Sequence, residues 1–295
     1  MHSYLRAIGF STCHSRRQLE NIYHMVLSSP NRKTITTVNV DTSLFQMEKD
    51  FTVNRIDRMG LSLIGECDLT GNVSVEHYYP YLKGDTTLTF ESITLEKQTD
   101  KESYAGVCED SRLGMTLIFY VINIAEYAKS KWFNYANRKI TRVKFSGLST
   151  EGTIILGISR TKAQRNYENL LRANRDHLLL AANEGDQDAM ENLALDEVET
   201  FSQICTRVKN EDILSIVDTS FMPCGVECDH YAIVGNITAV HTITNSYSGE
   251  EIYNLSLEVN GMNLNVGINS LDLQGEPAVG RRFRGEIWLQ GIIQL

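Results

Sequence analysis

Alternating apolar and polar residues dominate the first half of the chain and predict mainly β-structure. Ser15 is a typical N-cap, and the apolar residues that follow it have the spacing of an amphipathic helix ending near Pro30. The run 4–10 has the composition of a short strand. Further strands are predicted over residues 34–40, 60–67, 72–79, 87–97, 103–108, 115–122, 140–146 and 153–158, with a short helix over 124–133.

From residue 161 the apolar period changes to that of a helix. Tyr167, Leu170, Leu171, Leu178 and Leu179 form one helical stripe among polar residues. Gly185 is a typical helix C-terminus and Asp186 a typical N-cap of the next helix. They predict that the long helix ends here and that two shorter helices follow, over 187–195 and, after Asp196 as N-cap, over 197–208. Strand composition returns over 213–222 and precedes the break at residues 223–225.

The last 65 residues predict four long strands, over 231–244, 251–259, 262–268 and 283–293, with a strong Asn260-Gly261 hairpin signal. Four such strands with tight turns indicate a small β-barrel-like module, with an OB-like barrel as the candidate. The expected fold class is α+β. It comprises an antiparallel-rich α+β body (1–160) of one or two βα-sheet units, a helical segment (161–225) and the barrel-like module (226–295).

Charge is distributed unevenly along an acidic chain of net charge −9. Residues 131–180 hold ten basic and three acidic residues, a net +7, and residues 181–230 hold two basic and twelve acidic residues, a net −10. The two stretches either neutralise each other or leave a basic strip for an anionic partner. The overall acidity makes nucleic acid an unlikely partner in general, because phosphate binding depends on clustered lysine and arginine.

Six cysteines are scattered along the chain, which favours reduced thiols over a disulfide framework. The opening residues lack the basic and apolar regions of a secretory signal. The longest apolar-rich run, 115–125, is well short of the roughly 20 residues needed to cross a bilayer. A cytoplasmic protein without membrane contact is therefore expected.

Cys224, Cys228 and His230 place two thiols and an imidazole within seven residues, and these are zinc ligands. A structural zinc site needs four ligands, and no second cluster of cysteine or histidine has a comparable spacing. Ordinary buried cysteines beside a turn are the competing interpretation.

A second candidate site lies in the last predicted strand, where Arg281, Arg282, Arg284 and Trp288 combine guanidinium groups with an aromatic ring. With Arg160 and Arg165 of the basic strip, these residues could bind an anion or stack on bases. Trp288 also fits a packed position on an alternating strand.

Three runs resemble an uncharacterised family of about this length from anaerobic Gram-positive bacteria. They are 4–10 (YLRAIGF), 215–228 (SIVDTSFMPCGVEC) and 275–291, from GEP through GRRF to WLQG. The resemblance extends over the whole chain and implies a bacterial cytoplasmic protein. The family is a domain of unknown function, so no activity or ligand is implied.

The sequence holds no Gly-x-Ser-x-Gly, phosphate-loop or His-Glu-x-x-His motif, so no catalytic residue is assigned and no cofactor is expected. The leading hypothesis is a non-enzymatic interaction or regulatory protein with a protein partner. The alternatives are nucleic-acid or anion binding through the terminal module and the basic strip, and an enzyme whose site is not visible in sequence.

Overall fold

The computed structural model describes residues 2–37, 42–53, 57–68, 70, 72–98, 103–110, 113–132, 139–158 and 162–295. A 3-10 helix covers Ser3–Ile8, and the α-helices are α1 (Arg16–Ser28), α2 (Ile124–Trp132), α3 (Lys162–Asn183), α4 (Gln187–Arg207) and α5 (Ile213–Ile216). The strands are β1 (Arg32–Thr37), β2 (Thr42–Asp50), β3 (Met59–Asp68), β4 (Val73–Leu82), β5 (Thr87–Lys97), β6 (Tyr104–Asp110), β7 (Met115–Val121), β8 (Ile140–Ser149), β9 (Gly152–Ile155), β10 (Ser220–Pro223), β11 (His230–Thr244), β12 (Glu251–Val259), β13 (Met262–Asn269), β14 (Leu273–Gln274) and β15 (Arg282–Gln294).

Local sequence signals placed several element ends correctly. Ser15 caps α1 through a capping box with Gln18, and both partners of that box are present. The turn between β12 and β13 has Asn260 at φ 49° and Gly261 at φ 82°, the left-handed backbone that the Asn-Gly pair favours. These ends depend on neighbouring residues alone, which explains their predictability.

Three element predictions were wrong, and two strands were missed. Residues 4–10 form the 3-10 helix and its Gly9 cap (φ 88°), and this segment is buried on more than one side, so its composition mimics a strand. The missed strands are β2 and the two-residue β14. The two helices predicted over 187–208 are one, α4, because Asp196 continues the helix instead of capping a new one. Residues 213–222 begin as the short helix α5 before β10.

The strands form two sheets. Strands β1 to β4 make an antiparallel four-stranded sheet in chain order, and the other eleven form a mixed sheet. In the mixed sheet, pairing runs from β11 through β12, β13, β8 and β15 and returns to β11. A second ring runs from β8 through β5, β6, β7 and β15 back to β8. The fold is therefore α+β with extensive antiparallel and mixed sheets, and the terminal strands share a sheet with strands from before residue 160.

Buried side-chain amides on and beside β15 join this strand to β4 of the other sheet and to the segment just before α2. The Gln290 side chain donates to the carbonyl of Pro80 (2.8 Å) and accepts from the amide of Leu82 (3.3 Å), both on β4. Asn123, just before α2, makes a two-way bond with the backbone of Ile293, at 2.9 and 3.1 Å. Because these polar groups are buried, each bond satisfies a group that would otherwise be costly to bury.

Two glycines leave room for one ring in the core below β15. Phe119 of β7 is fully buried and lies against the backbone of Gly106 on β6 and Gly291 on β15. A β-carbon on Gly106 would lie 2.1 Å from the ring, and one on Gly291 would lie 2.4 Å from it. The ring therefore occupies the space that a β-carbon would need at either position.

Helices α3 and α4 pack on each other as an antiparallel pair, which we call the arm (residues 162–207). Their turn has Gly185 at φ 93°, and the carboxylate of Asp186 accepts from the amide of Ala189 as the cap of α4. None of the described helices is long and apolar enough to cross a membrane.

Gly291→Ala should destabilise the fold by about 2 kcal/mol, because the added methyl overlaps Phe119 and packed cores tolerate added volume poorly. The double variant Gly291→Ala/Phe119→Leu should recover part of the lost stability. Urea unfolding of the wild type, the two single variants and the double variant gives the free energy of unfolding of each, and so measures both the loss and the recovery. Unchanged stability of the single variant would contradict this packing.

Candidate functional site

The N-terminal 3-10 helix, Ser3–Ile8, brings two aromatic side chains, His2 and Tyr4, to the site. The Asn245 side chain donates to the carbonyl of Ile8 (2.7 Å), and the Asn269 side chain donates to that of Arg6 (3.0 Å). The bond from Asn245 satisfies a carbonyl at the end of the helix, whereas the Arg6 carbonyl also accepts from the backbone amide of Gly9 at 3.0 Å. The helix packs mainly on β13, β4 and β8.

The loop between β10 and β11 supplies the polar side chains. Gly225 turns the chain at φ 71°, the amide of Cys224 donates to the carbonyl of His230 (3.0 Å), and the amide of His230 donates to that of Glu227 (3.4 Å). The loop is tied to β15 because the amide of Leu289 donates to the carbonyl of Asp229 (2.9 Å). Three side chains, from Glu227, Asp229 and His230, are consequently close together.

Asp229 is the centre of this group. Its Oδ1 lies 3.0 Å from Nδ1 of His230, and its Oδ2 accepts from Nε1 of Trp288 at 2.8 Å. The Oε2 atom of Glu227 lies 3.2 Å from the same Nδ1 of His230. Asp229 is almost fully buried, whereas the Glu227 side chain is 74% exposed. One carboxylate is thus fixed and the other is free to move.

Aromatic rings form the wall beside these carboxylates. The ring centroid of Trp288 is 4.7 Å from that of His2 and 5.5 Å from that of Tyr4, and Tyr120 lies behind Trp288 at 5.1 Å. Together with the loop they enclose an open cleft of about 600 Å³. We call it the His230 cleft; it is lined by residues 2–4, Gln98, residues 226–230 and Trp288.

The two histidines of the cleft have opposite proton affinities. Burial, and then the nearby charge of His230, lowers the pKa of His2 to about 4, and its Nδ1 is buried without a hydrogen-bond partner among the described residues. The hydrogen bond to Asp229 raises the pKa of His230 above its ordinary value, against the opposing effect of burial. The His230 imidazole therefore keeps its proton to a higher pH than the His2 imidazole does.

The three described arginines of the predicted anion site have different environments. Arg282 is buried, and its guanidinium donates to four carbonyls, those of Leu156, Leu214, Val217 and Asp218, at 2.7 to 3.2 Å. Arg281 donates to the carbonyl of Glu276 (2.6 Å), and Arg284 is exposed. Arg160 lies outside the described residues, as does the side chain of Arg165 in α3.

Of the predicted metal ligands, only His230 belongs to the group within ligand distance. The described ligand group is Glu227, Asp229 and His230, whose candidate ligand atoms all lie within 4.8 Å of one another. Cys228 is exposed at the edge of the cleft, and burial raises the pKa of the Cys224 thiol, which disfavours a thiolate. The carboxylates replace the two thiols.

Among the described residues of the predicted anion site, Trp288 alone lines the cleft. It lies opposite His230 in the register of β11 and β15, so strand pairing brings the two predicted segments together. Sequence reasoning missed Glu227 and Asp229, although both lie within the 224–230 segment that it singled out. It also missed His2 and Tyr4, which carry no local signal because they reach the cleft only through the tertiary fold.

Residues 5–291 match a family described as "Domain of unknown function, E. rectale Gene description (DUF3881)". The chain belongs to this family. The match confirms the resemblance to an uncharacterised domain of unknown function. No curated protein and no solved structure matches the chain.

In this DUF3881 protein, the His230 cleft combines oxygen and nitrogen ligands with aromatic walls. Two carboxylates and an imidazole can hold a cation, and the indole bond fixes the buried carboxylate, as an outer partner fixes a metal ligand. The aromatic faces also favour positive charge. The chemistry of the site therefore suits a cationic ligand.

Replacing His2 should reduce the acid sensitivity of folding. Unfolded His2 has a pKa near 6.5 and takes up a proton as the pH falls, whereas the buried folded imidazole resists protonation until about pH 4. The wild type should lose about 2 kcal/mol more stability than His2→Gln between pH 7 and pH 5. Urea unfolding at both pH values measures this.

The matched control for that measurement is His14→Gln, a substitution at an exposed position near the same end of the chain. Equal pH dependence of His2→Gln and the wild type would show that His2 is not held neutral in the folded protein.

Proposed function

We propose that this protein is a non-enzymatic regulatory protein that binds a divalent metal ion through Glu227, Asp229 and His230. The observation that supports the proposal is the approach of two carboxylates to one imidazole nitrogen, at 3.0 and 3.2 Å. That nitrogen carries at most one proton, so it can make one linear hydrogen bond and not two.

The spacing of the atoms suits a shared ion. Ligands bonded to zinc at about 2.0–2.2 Å, with angles between octahedral and tetrahedral, lie about 2.9–3.5 Å apart. Both distances from Nδ1 of His230 fall in that range. Glu227 is exposed enough to adjust its position to an ion.

The donor set indicates the class of metal. A mixed set of imidazole and carboxylates suits zinc and similar transition metals, and it suits them better than calcium or magnesium, which prefer oxygen ligands alone. Three protein ligands leave at least one position that faces the 600 Å³ cleft, open to water or to a further ligand.

We further propose that β11, β12, β13 and β15 form a barrel-like scaffold together with β8, because the pairing of these strands returns to the first one; the sequence had led us to expect such a module within residues 226–295 alone. A cytoplasmic location is part of the proposal. It is supported by the six cysteines, none of which forms a disulfide within the described chain. Nucleic-acid binding is not favoured here, since Arg282 is committed to backbone carbonyls.

Titration calorimetry with Zn²⁺ on the chelator-treated protein should show one strong site at Asp229. Asp229→Asn should weaken binding at least tenfold, because it removes one charged ligand while an amide oxygen can still accept from Trp288. Glu227→Gln should also weaken binding, and at this exposed position it leaves the fold intact.

The matched control is His241→Gln, which removes an exposed histidine from the same strand, β11. If Zn²⁺ binds neither the wild type nor the control with measurable heat, the group is an internal ion pair and the proposal fails. Equal binding by Glu227→Gln, Asp229→Asn and the wild type would place any zinc elsewhere and would also overturn it.

A further inference from the structure

The arm exposes an ordered row of apolar side chains along α4. Val198 is 69% exposed and Phe201 is 70% exposed, although both are in the middle of a helix. With Met190, Ala194, Cys205 and Val208 they recur every three or four residues, so they share one face. We call this face, made of Met190, Ala194, Val198, Phe201, Cys205 and Val208, the α4 stripe.

The inner side of α4 is already used. Ala189 is buried, and Leu193 and Ile204 are half-buried, which places them on the side turned towards α3. The α4 stripe lies about 100° around the helix from these residues, given 100° per residue. It is therefore additional to the contact between α3 and α4, and Leu170 and Leu171 add exposed apolar surface on α3. Single exposed apolar residues are common, but a continuous row indicates a contact surface.

The charges of the two helices differ in sign. Helix α3 carries four basic residues and two acidic ones, and α4 carries five acidic residues and one basic one. These residues are Lys162, Arg165, Arg172, Arg175, Glu168 and Asp176 in α3, and Asp188, Glu191, Asp196, Glu197, Glu199 and Arg207 in α4. Two packed helices of opposite net charge are complementary to a second copy of the same pair related by a two-fold axis.

We propose that the arm associates with the arm of a second copy of this chain, with α4 of each copy against α3 of the other. This arrangement places each acidic helix between two basic helices, whereas direct contact between the two α4 helices would bring net charges of −4 together. The product is a four-helix bundle with alternating charge, a packing in which apolar stripes of this spacing are buried.

The surface is large enough for such a contact. If Leu170, Leu171, Met190, Val198, Phe201 and Val208 each bury on the order of 100 Å², two copies together remove on the order of 1,200 Å² from water, the lower end of specific interfaces. Helices of 22 and 21 residues are each about 30 Å long and can supply this area.

Sedimentation across a concentration series should show the full-length wild type as a dimer of twice 33.3 kDa. Phe201→Glu should shift the protein to monomer by at least a tenfold increase in the dissociation constant, because it places a charge in the stripe. The matched control is Asn192→Glu, which adds the same charge to the same helix at an exposed position off the stripe, and it should remain dimeric.

The double variant Glu191→Lys/Asp196→Lys tests the arrangement. It should weaken the dimer if α4 faces the basic α3 of the other copy, and it should strengthen the dimer if the two α4 helices face each other, since their mutual repulsion is removed. A stronger dimer would overturn the proposed arrangement. A wild type that is monomeric at 100 µM and higher, or an unaffected Phe201→Glu, would overturn the association itself. Far-UV circular dichroism of each variant shows whether α3 and α4 remain folded.

Discussion

Strand β15 is the element on which the rest of the structure depends. It pairs with β7, β8, β9 and β11, and Gln290 and Ile293 join it to β4 and to the start of α2. Both rings of the mixed sheet pass through the β8–β15 pair. Long-range pairing of this kind costs chain entropy, which is repaid only when the whole sheet forms. We therefore expect this part of the fold to be cooperative.

The cleft and the arm differ in their relation to that strand. Trp288 belongs to β15, and its indole donates to the Asp229 side chain, while the backbone amide of Leu289 donates to the Asp229 carbonyl. The fixed side of the cleft is therefore attached to the best-connected strand. A site on such a scaffold is pre-organised for its ligand. The arm lies between β9 and α5 in the chain, and its helices pack chiefly on each other. It presents a surface and not a pocket.

Local chemistry made part of this structure predictable. Capping by Ser15 and the Asn260-Gly261 turn were read from neighbouring residues, and the terminal strands lie within one or two residues of their predicted bounds.

The assignment of 4–10 as a strand was wrong because the bonds that hold this segment come from Asn245 and Asn269, more than 200 residues away. Arg282 has the side chain of a typical anion-binding residue, yet its partners are carbonyls from two distant segments, residue 156 and residues 214–218. The sequence pointed to the 224–230 segment as a candidate metal site, but the positions of its possible ligand atoms depend on the turn at Gly225 and on Trp288 opposite His230. Tertiary contacts of this kind leave no period in the sequence.

Native-state hydrogen exchange tests the central role of β15 most directly, because it gives the opening free energy of each backbone amide. We predict that the amides of residues 289–294 exchange only through global unfolding, with opening free energies equal to the total stability and higher than those of β1 and β2. Exchange of these amides at lower opening free energies than those of β1 and β2 would contradict the account, since β15 would then detach while the rest of the fold persists.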